Sequence, residues 1–298
     1  MARTDTLGHF LTDVADAIRE KKGTEETILA SDFDTEIENL PSGGSKYAPK
    51  FISFYNYTGL DLQDLIDDNN ISYSNIISTN QMFSLTGATS STTNLTTIDI
   101  SKISNEANGI TDVNGMFYMR ENLQSIQGLD TLDTSNVTDM SGMFYECRSI
   151  TNLDLSNFDT SNVTTMQSMF NHCGLLIPSG SYLNLNIKDF NVSKVNNFFY
   201  MFNGCKLQTL DLSGWELSNS LSINMSSMFI YCNYLTHIDM RKMNFANVTN
   251  YNNMFGYASS GVPDDCEIIV ADDTQKTWIT SKFSRLTNVK TVAEYEAS

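Results

Sequence analysis

Short apolar–polar–apolar triplets recur along the chain: Ile98-Asp99-Ile100, Leu153-Asp154-Leu155, Leu185-Asn186-Ile187, Leu210-Asp211-Leu212 and Ile238-Asp239-Met240. Such alternation marks a half-buried β-strand, with the outer residues pointing inward and the middle one on the open face. A second apolar pattern follows each strand. In the clearest unit, Leu153 to Cys173 (LDLSNFDTSNVTTMQSMFNHC), Val163, Met166, Met169/Phe170 and Cys173 lie three and four residues apart. That spacing predicts one face of a short helix, with Ser161 or Asn162 ahead of it as the N-cap. The expected unit is therefore strand, turn, short helix, turn. One unit is irregular: Leu123, Ile126 and Leu129 supply its apolar positions without a clean triplet.

The units recur with a period. Met-Phe occurs seven times, led by Met82, Met116, Met143, Met169, Met201, Met228 and Met254, at spacings of 34, 27, 26, 32, 27 and 26. A unit of about 26 residues falls in the leucine-rich-repeat range. No single unit can bury its own apolar face, so the units must stack and fuse their apolar columns into one core. The fold class expected is an α/β repeat solenoid, a leucine-rich-repeat-like stack of about seven units forming a parallel sheet over residues 51–265. Cys147, Cys173, Cys205 and Cys232 each follow a repeat Phe by three residues, which makes them packing residues first. Pro178 falls in the insertion of a long repeat and Pro263 beyond the last Met-Phe, so neither interrupts a strand triplet.

Solenoid ends need caps. Residues 47–60 read as an aromatic, alternating first strand. Residues 266–298 predict a C-terminal cap: a strand Glu267–Val270, a helix around Lys276–Phe283 and a last strand Asn288–Val292, with Trp278 covering the final coil. Residues 1–41 differ. Leu7, Leu11, Val14 and Ile18 form a 4-3-4 stripe on one predicted helix, and a second helix from Ser31 buries Phe33, Ile37 and Leu40. Two short helices hold too little core to stand alone. They are expected to dock on another protein or on copies of themselves, joined to the solenoid by a linker over residues 42–50.

Charge narrows the partners. Eighteen Lys and Arg against 35 Asp and Glu leave a formal charge of −17 with no basic stripe, which argues against nucleic acid and against an anionic membrane surface. No run of 18 apolar residues is present, and the first ten residues do not read as a secretory signal, so the expectation is assembly in the cytoplasm. The odd count of five cysteines argues against a disulfide framework. Zinc is the sharper reading of those thiols, but no Cys-x-x-Cys pair occurs, and no metal or cofactor is expected. Catalysis finds little support. His9, His172 and His237 sit in unrelated contexts, and the pairs Asp67-Asp68 and Asp272-Asp273 read as solvated turns. A carboxylate pair brought together in space, as in a carbohydrate-active enzyme on a repeat scaffold, is the alternative. The sequons at Asn136, Asn162 and Asn247 belong to the repeat motif.

The segment LDTSNVTDMSGMFYEC (Leu132 to Cys147) and its copy from Phe158 to Cys173 closely resemble the 26-residue bacterial surface repeat of the BspA-like leucine-rich proteins. The likeness covers about residues 50–265, and EIIVADDTQKTW resembles the terminal cap of such proteins. The units at Met82 and Met116 depart from it by lacking the Cys, and the unit at Met201 has NVSKV in place of SNVTT. The resemblance implies adhesion or recognition rather than catalysis. The segment LGHFLTDVADAIREKKGTEETILASDFDTEIENL looks like the opening of many tail-associated proteins of phages and prophages in Gram-positive hosts. It implies a tail-tip protein in the virion, bound to a tail or baseplate protein, with the solenoid facing a host surface glycan or protein. By the same analogy the chain forms a homo-oligomer, with a trimer matching tail symmetry. A bacterial surface adhesin is the alternative.

Two columns are the candidate recognition residues. The middle residues of the triplets, Asp99, Asp154, Asn186, Asp211 and Asp239, stack on the open face, where carboxylates about 4.8 Å apart repel unless something offsets them. A cation or basic ligand group would do so, and hydrogen bonds to hydroxyls of neighbouring coils are the simpler account. Tyr118, Tyr145, Tyr231, Tyr234 and Tyr257, near the helix-to-strand corner, predict an exposed aromatic stripe, though half of them can equally cover core edges.

Overall fold

A computed structural model describes residues 79, 96–101, 104, 109–257 and 259–298. The expected helices of residues 1–41, with Leu7, Leu11, Val14, Ile18, Phe33 and Ile37, lie outside the described residues. So do the linker at 42–50, the strand at 47–60 and the Met-Phe pair at Met82.

The described chain is a parallel β-solenoid of about six coils with little helix. Every triplet supplies a strand: β1 (Thr97–Asp99), β3 (Asn152–Asp154), β4 (Asn184–Asn186), β5 (Thr209–Asp211) and β7 (His237–Met240). The irregular unit supplies β2 (Ser125–Gln127). β1 pairs with β2 and β3 with β4, both in parallel. β5, β7, β11 (Glu267–Val270) and β12 (Val289–Thr291) make one parallel four-stranded sheet. Register keeps like positions together: Leu153 faces Leu185, and Leu210, Ile238, Ile268 and Val289 form one line. A second parallel line joins Asp112, Asp139, Thr165, Asn197 and Asn224 by single bridges, and β6 (Ile223–Asn224) to β8 (Val248–Asn250). A small antiparallel hairpin, β9 (Gly256–Tyr257) with β10 (Ser260–Gly261), sits in the last coil.

The expected short helix is replaced by consecutive turns. In the unit at Met116, Met116, Tyr118 and Arg120 donate their N–H groups to the carbonyls three residues back, Val113, Gly115 and Phe117, at 2.9–3.2 Å. The residues that alternate with them, Gly115, Phe117 and Met119, donate instead to Ser141, Met143 and Tyr145 of the next coil at 2.7–3.0 Å. An α-helix would use every N–H within itself and keep φ negative. Here φ is positive at Gly115 (58°) and Met119 (63°), and again at Gly142 and Glu146, Ser168 and His172, Tyr200 and Gly204, Ser227 and Tyr231. A residue with φ > 0 at the third position of a turn is the type II signature. Chained turns also bring every third or fourth side chain to one side, so Val163, Met166, Met169, Phe170 and Cys173 are all buried as a helix face would bury them. Ser161 and Asn162 are accordingly not helix caps; the Ser161 N–H is bound by the Asp159 carboxylate at 2.9 Å.

Side chains at equivalent positions stack through the core. Phe117, Phe144, Phe170, Phe202, Phe229 and Phe255 form a continuous column with ring centroids 5.4–5.7 Å apart and ring planes within 15°. Each ring is fully buried. A stacked pair contributes about 0.5–1.5 kcal/mol beyond the burial of its area. A shorter column runs Phe158, Phe190 and Trp215, at 6.5 and 6.3 Å.

The C-terminal cap closes the end of the stack. Helix α1 (Asp273–Lys282) begins at Asp272, whose carboxylate accepts from the Gln275 N–H at 3.0 Å. Gln275 is buried and its side-chain oxygen accepts the Phe245 N–H of the last coil at 3.0 Å, satisfying a donor that the end of the stack would orphan. Trp278 lies over Phe245 at 4.9 Å, and Phe283 meets Phe255 edge-on at 5.0 Å. The expected strand, helix and strand are present, the helix beginning three residues earlier than the expected start at Lys276. A further short helix, α2 (Val292–Glu296), follows β12 behind a capping box of Thr291 and Glu294.

Candidate binding surface

The triplet carboxylates do share the open face, and each is offset locally. The Oδ1 atoms of Asp99, Asp154, Asp211 and Asp239 accept the backbone N–H two residues on, from Ser101, Ser156, Ser213 and Arg241, at 2.8–3.2 Å. These are Asx turns that end the strands. Neighbours complete the compensation: Asn186 donates to Asp154 at 2.9 Å, Lys188 pairs with Asp211 at 3.4 Å, and Arg241 binds both oxygens of Asp239. Hydrogen bonds thus account for the column, and Asp239 is buried beneath its arginine.

Two further polar columns went unread in the sequence. Asp112, Asp139, Thr165, Asn197, Asn224 and Asn250 each accept the N–H two residues on. So do Asp133, Asp159, Asn191, Ser218 and Asn244. Their signal was present as an Asp, Asn, Ser or Thr four residues before each Met-Phe and again further ahead of it. Both columns shape corners. Asn162, the middle sequon, spends its amide on the Ser135 carbonyl of the preceding coil at 2.8 Å.

The five tyrosines do not make one stripe. Tyr118 and Tyr145 occupy the same place in adjacent coils and stack at 4.4 Å, each half-buried. Tyr231 and Tyr257 flank Ser260, which accepts the Tyr231 N–H and pairs with Tyr257 in the hairpin. Tyr234 leans toward Tyr182, a residue the sequence reading missed, at 6.1 Å. One feature unites the exposed members. Among the described residues, the large apolar side chains left open are Leu175 (39%), Leu176 (55%), Tyr231 (50%), Tyr234 (49%) and Tyr257 (54%). All five fall between a Met-Phe pair and the next strand of the triplet series, β4, β7 or β11. The solenoid therefore carries its exposed apolar surface along one edge.

A family described as "Mycoplasma protein of unknown function, DUF285" matches residues 77–177 and 174–265, more than half of the chain. The chain belongs to the DUF285 family. The matched region is the one whose repeats resemble the BspA-like surface repeat. No curated protein and no solved structure matches the chain.

In this DUF285 solenoid the cysteine column is inert chemistry. All five thiols are free and buried. Burial pushes the thiols of Cys232 and Cys266 up to about 12 and raises those of Cys147, Cys173 and Cys205 as well, so they stay protonated at neutral pH. Cys147 and Cys232 donate to the Phe117 and Phe202 carbonyls of the preceding coil at 3.3 and 2.9 Å. The two described histidines also bridge coils: His172 Nδ1 lies 2.9 Å from Glu146 Oε1 and His237 Nδ1 2.9 Å from Glu267 Oε2. Burial disfavours ionised Glu146, but hydrogen bonds from His172 and Arg148 outweigh it and hold the carboxyl below its usual range.

The Asx turns of the DUF285 repeats set a pH dependence. The Ser101 and Ser156 side chains and N–H groups hold Asp99 and Asp154 below the usual carboxylate range. Partial burial raises Asp211, but Ser213 and Lys188 overcome it and lower its pKa too. A folded pKa below the unfolded value of about 3.9 stabilises the native state above that pH and ceases to do so as pH falls through the folded value. Converting Asp99, Asp154 and Asp211 together to Asn keeps an acceptor oxygen at each turn while removing the titration. Thermal midpoints measured against pH are expected to fall less steeply below about pH 4 in the triple variant than in the parent. Equal slopes would mean the turns do not couple to folding.

Proposed function

We propose that this chain is a non-catalytic recognition protein of a phage or prophage tail tip, with residues 1–41 attached to the tail and the solenoid edge bound to the host cell surface. The observation that carries the recognition reading is the single edge on which the exposed leucines and tyrosines gather. A rigid, well-packed scaffold has no internal use for that surface, and apolar groups left open together mark contact sites. The stacked core supports the same reading, because it holds the edge in fixed geometry and limits the ordering cost of binding. The tail attachment is supported by the likeness of the first 41 residues to tail-associated openings.

Two measurements test the halves separately. Fluorescently labelled full-length chain is expected to bind Gram-positive host cells. Replacing Leu176 and Tyr257 by Ser is expected to weaken that binding about tenfold or more, since contact residues of this kind contribute over 1 kcal/mol each. Both side chains are more than half exposed, so the thermal midpoint stays close to the parent's. Undiminished binding by the variant removes the edge from the reading. Mass spectrometry of particles released after prophage induction is expected to recover peptides such as TWITSK at a fixed ratio to capsid protein. Absence from particles together with presence on uninduced cells would replace the tail assignment by a bacterial surface adhesin.

A further inference from the structure

Tyr182, Lys206 and Tyr234 are equivalent residues of three successive coils, each preceding the buried leucine (Leu183, Leu207 or Leu235) that leads into a strand. Coils stack about 4.8 Å apart, so side chains two coils apart start near 10 Å from each other. The two tyrosine rings nevertheless approach to 6.1 Å with an interplanar angle of 59°. They lean together over Lys206, which is only 7% exposed. Its ammonium turns away beneath them and donates to the carbonyls of Ile177 and Pro178, the latter at 3.0 Å, while lying 5.6 Å from the Tyr234 ring centre. Burying a lysine is costly unless it is satisfied, and here two carbonyls of the inserted loop satisfy it. The same position holds Ser149 and Asp265 in flanking coils, so the repeat does not itself demand this arrangement.

We infer that Tyr182 and Tyr234, fixed over Lys206, form a stacking platform for a neutral hexopyranose unit of a cell-wall polysaccharide. The inference rests on the cell-surface reading above and gives its ligand a chemical class. A half-exposed tyrosine offers an apolar ring face to the C–H face of a sugar and a hydroxyl tip to its oxygens. Charge selects within the sugars. The Lys206 ammonium behind the Tyr234 ring opposes a cationic ligand, which would otherwise suit an aromatic pair. The chain's −17 charge opposes a phosphate-rich polymer. A neutral pyranose meets neither obstacle.

The test uses the full chain and the carbohydrate of Gram-positive walls, separated by anion exchange into neutral and phosphate-bearing fractions. Binding of each fraction is followed by calorimetry, with intact-cell binding measured in parallel. The parent is expected to bind the neutral fraction. Tyr234→Ala is expected to lose about tenfold or more in affinity with an unchanged thermal midpoint, and Tyr234→Trp to retain binding. Binding of the phosphate-bearing fraction alone, of neither fraction, or of the neutral fraction equally by parent and Tyr234→Ala overturns the platform. If intact cells still bind in those cases, the recognition reading survives without it. Failure to bind any cell overturns that reading instead, whatever the fractions show.

Discussion

Replacing Trp215 by alanine is expected to destabilise the solenoid by about 3–5 kcal/mol, the usual cost of deleting a large buried aromatic side chain. Trp215 is fully buried and touches both aromatic columns: Phe190 at 6.3 Å, Phe198 at 5.7 Å and Phe202 at 6.5 Å. Its indole N–H donates to the Ile187 carbonyl of the preceding coil at 2.9 Å. Truncation removes the ring contacts and leaves that buried carbonyl without this donor, so two penalties coincide. Trp215→Phe separates them, keeping most of the ring volume and losing the donor, with an expected cost of about 1–2 kcal/mol. Because each coil of a solenoid contacts only its neighbours, the alanine variant is also expected to unfold in a broader or split transition as coils on either side lose their coupling. Urea denaturation followed by circular dichroism reads both effects. A shift under about 1 kcal/mol with an unchanged slope would show that the meeting of the two columns does not govern stability.

What the sequence showed and what it hid follow from one degeneracy. The Met-Phe period and the strand triplets were legible because the Met-Phe pairs of the described coils are buried throughout and the triplets' apolar residues are buried or, at Leu185, partly buried. The turn segments misled because chained β-turns and a helix both place apolar residues three and four apart. A discriminating signal did exist. Glycine stands in the left-handed positions of some coils, Gly115, Gly142 and Gly204, where other coils place Ser168, Tyr200 and His172. A column that exchanges glycine with such residues inside a supposed helix points to φ > 0 and away from a helix. The Asp column was legible as a surface feature with hydrogen bonds as the simpler account, but the strand pattern alone does not reveal that the common partner is the N–H two residues on rather than a hydroxyl of a neighbouring coil. Tyr182 was invisible for a different reason: it lies in the insertion that stretches one repeat spacing to 32 residues, where the period gives no register.

Gly204 concentrates this turn chemistry in one atom, and Gly204→Ala is expected to cost about 2–3 kcal/mol. Its φ is 62°, yet His172 and Tyr231 occupy the same place in adjacent coils at 55° and 61°, so the backbone itself accepts a side chain there. For an L-residue that conformation costs about 1–2 kcal/mol. A second obstacle is steric. A Cβ on residue 204 would lie 2.1 Å from His172 Cδ2 and 2.7 Å from its Nε2. The imidazole cannot simply yield, because its Nδ1 is held by Glu146 2.9 Å away, itself buried and bonded to Arg148. Moving the ring sacrifices the Glu146 contact; leaving it in place distorts the turn. A double-mutant cycle distinguishes collision from backbone strain. A His172→Ala background removes the three atoms nearest the added methyl, so Gly204→Ala there is expected to cost only the conformational share, about 1 kcal/mol less than in the parent. Equal costs in the two backgrounds, measured by urea denaturation, would assign the whole effect to the left-handed backbone and none of it to collision with His172.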